Sequence, residues 1–158
     1  MDKEEEKRAL IEEMGIHFES EYSLPPLAAR IFANLVITEE TGLTFDDCKV
    51  KRGASKSSIS TALNLLLQIG FINYFTKSGD RKRYFKIAVK GSFFIKKLNK
   101  ELNKLEKETF IVNKVQDYFK KHNPERYNED EEMKNIYLTC LKNNKEVFKD
   151  SINKLKKI

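Results

Sequence analysis

The chain has 158 residues, of which 40% are hydrophobic and 34% charged, and its net charge is +6. This balance excludes a disordered or collagen-like chain, and the length predicts a single domain over residues 1–158. No apolar run approaches the roughly 18 residues of a membrane span, and residues 1–8 are too charged for a signal peptide, so we expect a cytoplasmic protein without a membrane partner.

Two helices are predicted in the first part of the chain. Apolar residues recur every three to four positions over residues 3–20, which indicates an amphipathic helix. Ser23 is a plausible N-cap for a second helix that begins at Pro25 and Pro26 and runs to Ile37. Because this second helix is apolar nearly all round, we expect it to lie at the centre of the core.

A pair of shorter helices follows. Thr44 and Asp47 form a predicted capping box at the start of a helix that reaches Arg52. A tight turn at residues 53–55 separates it from a helix over residues 56–69, capped by Ser55 and stopped by Gly70. The inward positions of this helix are apolar, and its outer face is small, polar and basic.

The pattern then changes to a hairpin followed by long helices. Residues 71–76 and 81–89 have β character and flank turn residues at 77–80. A long helix over residues 92–121 carries an apolar seam, which suggests a partner helix. After Asn123 and Pro124 we predict an acidic loop and a last helix from Asp130.

Positive charge is concentrated in the middle of the chain. Between residues 49 and 83 the only acidic residue is Asp80. A helix, a tight turn, a second helix and a basic hairpin follow one another in the order of a winged helix-turn-helix, whose second helix enters the major groove of DNA. We therefore predict an α+β, mostly helical fold with a two-stranded β wing and flanking dimerisation helices, and double-stranded DNA as partner.

The predicted DNA contacts fall into two groups. Residues at the start of the second helix are expected to lie at bases and phosphates, and basic residues of the hairpin are expected to hold phosphate and the minor groove. The candidate DNA-binding residues are Ser55, Lys56, Ser57, Ser58, Ser60, Thr61, Asn64, Lys77, Arg81, Lys82 and Arg83. For Asp80, a structural role is as plausible as contact with DNA.

Three segments together resemble one family of regulators. They are LPPLAARI from Leu24, SKSSISTAL from Ser55 and FTKSGDRKRYF from Phe75. In order and spacing they resemble the GbsR-like branch of the MarR-type regulators, over roughly residues 10–88. The resemblance implies a homodimer formed by N- and C-terminal helices, a pseudo-palindromic operator and, in many relatives, a small-molecule effector that releases the DNA.

On this basis we predict a ligand-responsive repressor, with residues 1–22 as an N-terminal helix, 23–90 as the winged helix-turn-helix and 91–158 as dimerisation helices. Tyr22, Phe32, Phe94 and Phe110 could line an effector pocket or belong to the core. The chain departs from the family at Cys48 and Arg52, where leucines are usual. Cys48 can still pack as a small hydrophobic residue, whereas Arg52 must extend outward or shift its helix.

Other functions find less support in the sequence. Cys48, Cys140 and the two histidines lack metal-ligand spacing, so we expect neither a metal nor a cofactor, although Cys48 could be a redox sensor beside the DNA-reading helix. The absence of a phosphate-binding glycine loop and of a nucleophile with its base argues against an enzyme. The alternative is a winged-helix protein-interaction adaptor that does not read an operator.

Overall fold

In this computed structural model the described residues are 1–88 and 91–158, and the chain divides into two compact units, Met1–Lys90 and Gly91–Ile158. The first unit contains, in chain order, α1 (Lys3–Tyr22), α2 (Pro26–Ile37), β1 (Leu43–Thr44), α3 (Phe45–Arg52), α4 (Lys56–Gln68), β2 (Ile72–Thr76) and β3 (Arg83–Ile87). The second unit contains α5 (Ser92–His122) and α6 (Pro124–Lys156). A single domain over the whole chain stays a prediction.

The sheet of the first unit has three antiparallel strands in the order β1-β3-β2. Leu43 and Tyr74 flank Phe85 on the two sides of the central strand. The predicted two-stranded wing is confirmed as the hairpin of β2 and β3. The third strand, β1, was not predicted, because it has only two residues and leaves no alternating pattern in the sequence. The predicted return strand extended to Val89, which lies outside the described residues.

The core of the first unit is built around α2. This helix packs against both α1 and α4, and Ala28, Ala29 and Ala33 are fully buried along it. Their small side chains let neighbouring helices approach closely. The prediction of a central apolar helix is confirmed. Among the described residues, the largest fully buried side chains all belong to this unit: Ile31, Leu43, Ile59, Leu63, Leu66 and Ile72.

Helix ends follow the capping predictions with one exception. Ser55 caps α4, and the Thr44–Asp47 capping box opens α3, both as predicted. Ser23 does not cap α2; it ends α1 in a left-handed conformation with φ 52°. The fixed backbone of Pro25 and Pro26 starts α2 without a side-chain cap, because proline at a first turn sacrifices no helical hydrogen bond.

The second unit is a pair of long helices that pack against each other. The predicted acidic loop after Pro124 is wrong, since α6 begins at Pro124 and runs through residues 125–132. Asn123 caps the helix by accepting a hydrogen bond from the Arg126 amide at 3.2 Å, and acidic side chains near a helix N-terminus are favoured by its dipole. None of the described helices is long and apolar enough to cross a membrane.

Candidate nucleic-acid interface

The turn before α4 is fixed by two local features. In the capping box, the Asp47 amide donates to Thr44 Oγ1 at 3.1 Å and the Thr44 amide donates to the Asp47 carboxylate at 2.9 Å. This hydrogen bond from Thr44 is the main reason that the pKa of Asp47 lies below its ordinary value. Gly53 then adopts a left-handed conformation with φ 60°, which bends the chain between α3 and α4.

Serine hydroxyls organise the N-terminus of α4. The Ser55 hydroxyl accepts from the Ser58 amide at 3.2 Å and donates to the Ser58 hydroxyl at 2.8 Å. Further along, the Thr61 hydroxyl donates to the Ser57 carbonyl oxygen at 2.9 Å. These hydroxyls still have lone pairs that can accept hydrogen bonds, and Lys56 is exposed beside them.

The hairpin of β2 and β3 is shaped by Asp80. Its carboxylate accepts from the Lys82 amide at 2.9 Å and from the Tyr84 hydroxyl at 2.7 Å. The bond from Tyr84 lowers the pKa of Asp80 and raises the pKa of Tyr84. Of the two roles considered for Asp80, the structure gives it the structural one: it organises the turn that presents Arg81 and Lys82.

Aromatic rings hold two of the wing cations along the strands. The Lys77 ammonium lies 4.2 Å from the centre of the Tyr84 ring, and the Arg83 guanidinium lies 4.6 Å from the centre of the Tyr74 ring. Such contacts restrict a long side chain without neutralising it. Lys77 and Arg83 of the wing therefore keep their positive charge while their side chains lie against aromatic rings.

The structure brings α4 and the wing together along one groove, which we call the reading groove. It is lined by Ser60 and Asn64 of α4, by Arg81, Lys82 and Arg83 of the wing, and by Thr44, Phe45, Asp46, Leu63 and Phe85. Thr44, Phe45 and Asp46 were not predicted as neighbours of the wing. Their only signal was the capping box, which predicts a helix start and carries no information about distant contacts.

The remaining candidates on α4 lie elsewhere on the helix. Ser57, Ser58 and Thr61 border a second, more apolar groove beside Pro25 and Pro26 at the start of α2. All the candidate residues on α4 except Ser60 are exposed, and so are those on the wing. Five candidates thus line the reading groove and three border the groove beside α2, whereas Ser55, Lys56 and Lys77 line neither.

Cys48 is buried beneath the turn. Its side chain is almost completely inaccessible, and burial raises the pKa of the thiol to about 11. Because the thiolate is the reactive form, this environment gives no support to a redox role. Among the described residues, no group of three histidine, cysteine or acidic side chains could hold a metal ion.

The four aromatic residues considered for an effector pocket fall in both units. In the first unit, the rings of Phe32 and Tyr22 each lie 5.2 Å from the ring of Phe71. In the second unit, Phe94 and Phe110 are exposed. The packing of Tyr22 and Phe32 is that of core aromatic residues, and an effector pocket stays a prediction.

No family model matches the chain. Over 77 residues, 49% of its length, the chain is 35% identical to the HTH-type transcriptional regulator MmpR5 of Mycobacterium tuberculosis, and it spans just under half, 46%, of that relative.

Among solved structures, the chain aligns with a crystal structure of a transcriptional regulator over 97% of its length and 99% of that chain, with a TM-score of 0.57 and 23% identity. A Staphylococcus aureus MepR–DNA complex aligns with a TM-score of 0.44 and 12% identity, over 68% of this chain and 88% of that one. The first of these likenesses, with the helix-turn-helix and hairpin described above, shows that the chain has a mostly helical winged-helix fold with a small three-stranded antiparallel sheet.

Proposed function

We propose that the chain is a sequence-specific DNA-binding transcription regulator of the MarR type, in its GbsR-like branch, and acts as a homodimeric repressor on a pseudo-palindromic operator. The observation that carries the proposal is the reading groove, where Ser60 and Asn64 of α4 lie beside the basic wing. The relative with 35% identity is named as a helix-turn-helix transcriptional regulator, which supports a binding protein over an enzyme.

The chemistry of the reading groove fits a duplex. Short polar side chains on α4 can approach base edges in the major groove, where asparagine and serine find donors and acceptors. Arg81 and Lys82 at the wing tip supply charge for phosphate or for the minor groove. The acid-poor stretch from residue 49 to residue 83 places both elements on the positive part of the chain.

The homodimer is supported by apolar side chains that a single chain leaves exposed. We call these side chains the apolar stripe. It consists of Ile111, Val115 and Tyr118 on α5 and of Met133, Ile136 and Val147 on α6. Their spacings of three, four or eleven residues correspond to about one or three helical turns and place the members on one side of each helix. The opposite side of α5 carries polar residues such as Asn113 and Asp117. Exposed apolar surface of this kind is typical of an interface, and a second copy of the chain is the partner that a palindromic operator requires.

Release of the operator by a small-molecule effector completes the proposal. It rests on the resemblance of the three sequence segments to the GbsR-like regulators.

Fluorescence anisotropy tests the proposal. The protein is titrated onto a duplex from the region upstream of its own coding sequence and onto a scrambled duplex, each at several salt concentrations. We expect a preference for the upstream duplex of roughly a thousandfold or more, because operator readers discriminate at this level. Weak and equal binding with a steep salt dependence would contradict operator reading and favour the protein-interaction adaptor.

A further inference from the structure

Two arginines and two glutamates connect three helices of the first unit. Arg30 of α2 lies between two acids of α1: its Nε is 3.1 Å from Glu12 Oε2, and its Nη1 is 2.6 Å from Glu19 Oε2. The second oxygen of Glu12, Oε1, lies 3.7 Å from Nη1 of Arg52 at the end of α3. Glu12 is therefore shared between α2 and α3.

Arg52 depends on this acid more than an ordinary surface arginine would. Its side chain is only 16% exposed, and its Nε is buried without a hydrogen-bond partner in the described part of the chain. A buried guanidinium is costly unless an acid faces it, and in the described residues Glu12 is the acid within salt-bridge distance. The side chain thus extends from the end of α3 towards Glu12 of α1.

The other half of the arrangement is closely packed. A Cβ atom added at Gly15 would lie 3.1 Å from Cζ and Nε of Arg30, so the guanidinium lies against the backbone of α1. Gly15 follows Glu12 by three residues and lies on the same face of the helix. Arg30 consequently holds Glu12 in place from the side of α2.

Arg52 also lies next to the turn that leads into α4. It is the last residue of α3 and directly precedes Gly53, whose left-handed conformation sets the turn into α4. Only residues 53–55 separate it from α4, the helix that lines the reading groove.

We propose that Glu12 is a positioning residue for DNA reading, which couples the α1–α2 framework through Arg52 to the orientation of α4. The inference rests on the proposed function for its effect on DNA binding, whereas its effect on α4 can be measured without DNA.

Charge and position predict opposite effects for the substitution Glu12→Gln. Removing one negative charge changes the net charge from +6 to +7, which by itself strengthens binding to any DNA. Loss of the positioning contact instead weakens binding to the operator alone. The neighbouring Glu13→Gln variant is the matched control, because Glu13 is exposed on the same helix and its substitution makes the same charge change.

We expect Glu12→Gln to lower affinity for the upstream duplex by roughly tenfold, while affinity for the scrambled duplex stays equal or rises slightly. Glu13→Gln should leave both affinities equal or slightly higher. Binding of Glu12→Gln that matches Glu13→Gln on both duplexes would overturn the proposal.

A double-mutant cycle identifies Arg52 as the mediator. Arg52→Met replaces the buried charge by an apolar side chain of similar length and keeps the packing. It therefore keeps the test possible even if Glu12→Gln alone prevents folding. In the Arg52→Met background, Glu12→Gln should cause no further loss of operator affinity, because the contact is already absent. Additive losses would mean that Glu12 acts through Arg30, and the proposed coupling to α3 would be wrong.

Amide chemical shifts give a readout that does not need DNA. In ¹H–¹⁵N spectra of the free protein, Glu12→Gln should move the amide signals of residues 55–64, and Glu13→Gln should not. If the wild-type protein fails to prefer the upstream duplex, the proposed function fails and these shifts alone decide the coupling. If Glu12→Gln lowers the Tm but leaves the α4 signals unchanged, Glu12 only stabilises the fold and the inference is overturned.

Discussion

The two units of the chain differ in how far they bury their apolar side chains. The winged-helix unit buries large aliphatic residues completely, as at Ile31 and Leu66, and uses them to hold α4 and the sheet. In the helical unit α5 has no buried residue, and apolar side chains such as Ile111 remain exposed along both helices. The winged-helix unit is held together by interactions within one chain, whereas the exposed apolar stripe of the helical unit supports the proposed association between chains.

The largest effect is expected from a charge placed in the apolar stripe. Ile111→Glu should raise the dimer dissociation constant by roughly a thousandfold, because a carboxylate would be buried without a partner in an apolar interface. Sedimentation velocity over a range of protein concentrations measures this change. Asn113→Glu on the opposite side of α5 is the control and should sediment like the wild type. A dimer that survives Ile111→Glu unchanged would assign the interface to another surface.

A core truncation tests the other side of the comparison. Leu66 of α4 is 0% exposed, and Leu66→Ala should lower the free energy of unfolding by about 3 kcal/mol, since it removes buried methyl groups and leaves a cavity. Urea denaturation measures the loss. Gln68→Ala, at an exposed position of the same helix, should change it by less than about 0.5 kcal/mol. Equal costs for both variants would refute the burial of Leu66 in the core of the unit.

The charge of the wing should have a smaller and more specific effect. Arg81→Ala should weaken binding on all duplexes and lower the slope of log affinity against log salt by about one unit, as expected for one lost phosphate contact. Anisotropy titrations at four or more salt concentrations give the slope. Lys107→Ala removes the same charge from exposed α5 and should leave the slope unchanged. A slope that falls equally in both variants would indicate a general charge effect and no contact by Arg81.

The smallest expected difference concerns the thiols, one in each unit. Cys140 is exposed and should react with an alkylating reagent at pH 8, whereas Cys48 should react only after unfolding because it is buried and its pKa is raised to about 11. Mass spectrometry of single-cysteine variants measures the two rates. Because the thiol ionises near pH 9 in the unfolded chain and near pH 11 in the folded chain, the free energy of unfolding should fall as the pH rises from about 9 towards 11. Equal native rates for the two thiols would contradict the burial of Cys48.

Local patterns in the sequence predicted most of the helical architecture. The capping box at Thr44 and Asp47 and the cap at Ser55 were found because each depends on side chains only three residues apart. The same reasoning failed at Ser23, where a cap residue stands beside two prolines that start the helix without it. It also failed at the start of α6. The acidic residues that were predicted to form a loop instead belong to the first turns of this helix.

Periodicity, caps and turns are local properties of the chain, so the polar face of α4, the basic hairpin and the order of the helices could be predicted from the sequence. Contacts between residues far apart in the chain were revealed by the fold alone. It paired β1 with β3, placed Asp46 in the reading groove, and turned Arg52 towards Glu12, 40 residues earlier in the chain. The physical reason is that such contacts depend on how helices pack and on which buried charge needs an acid, and neither leaves a repeating pattern in the sequence.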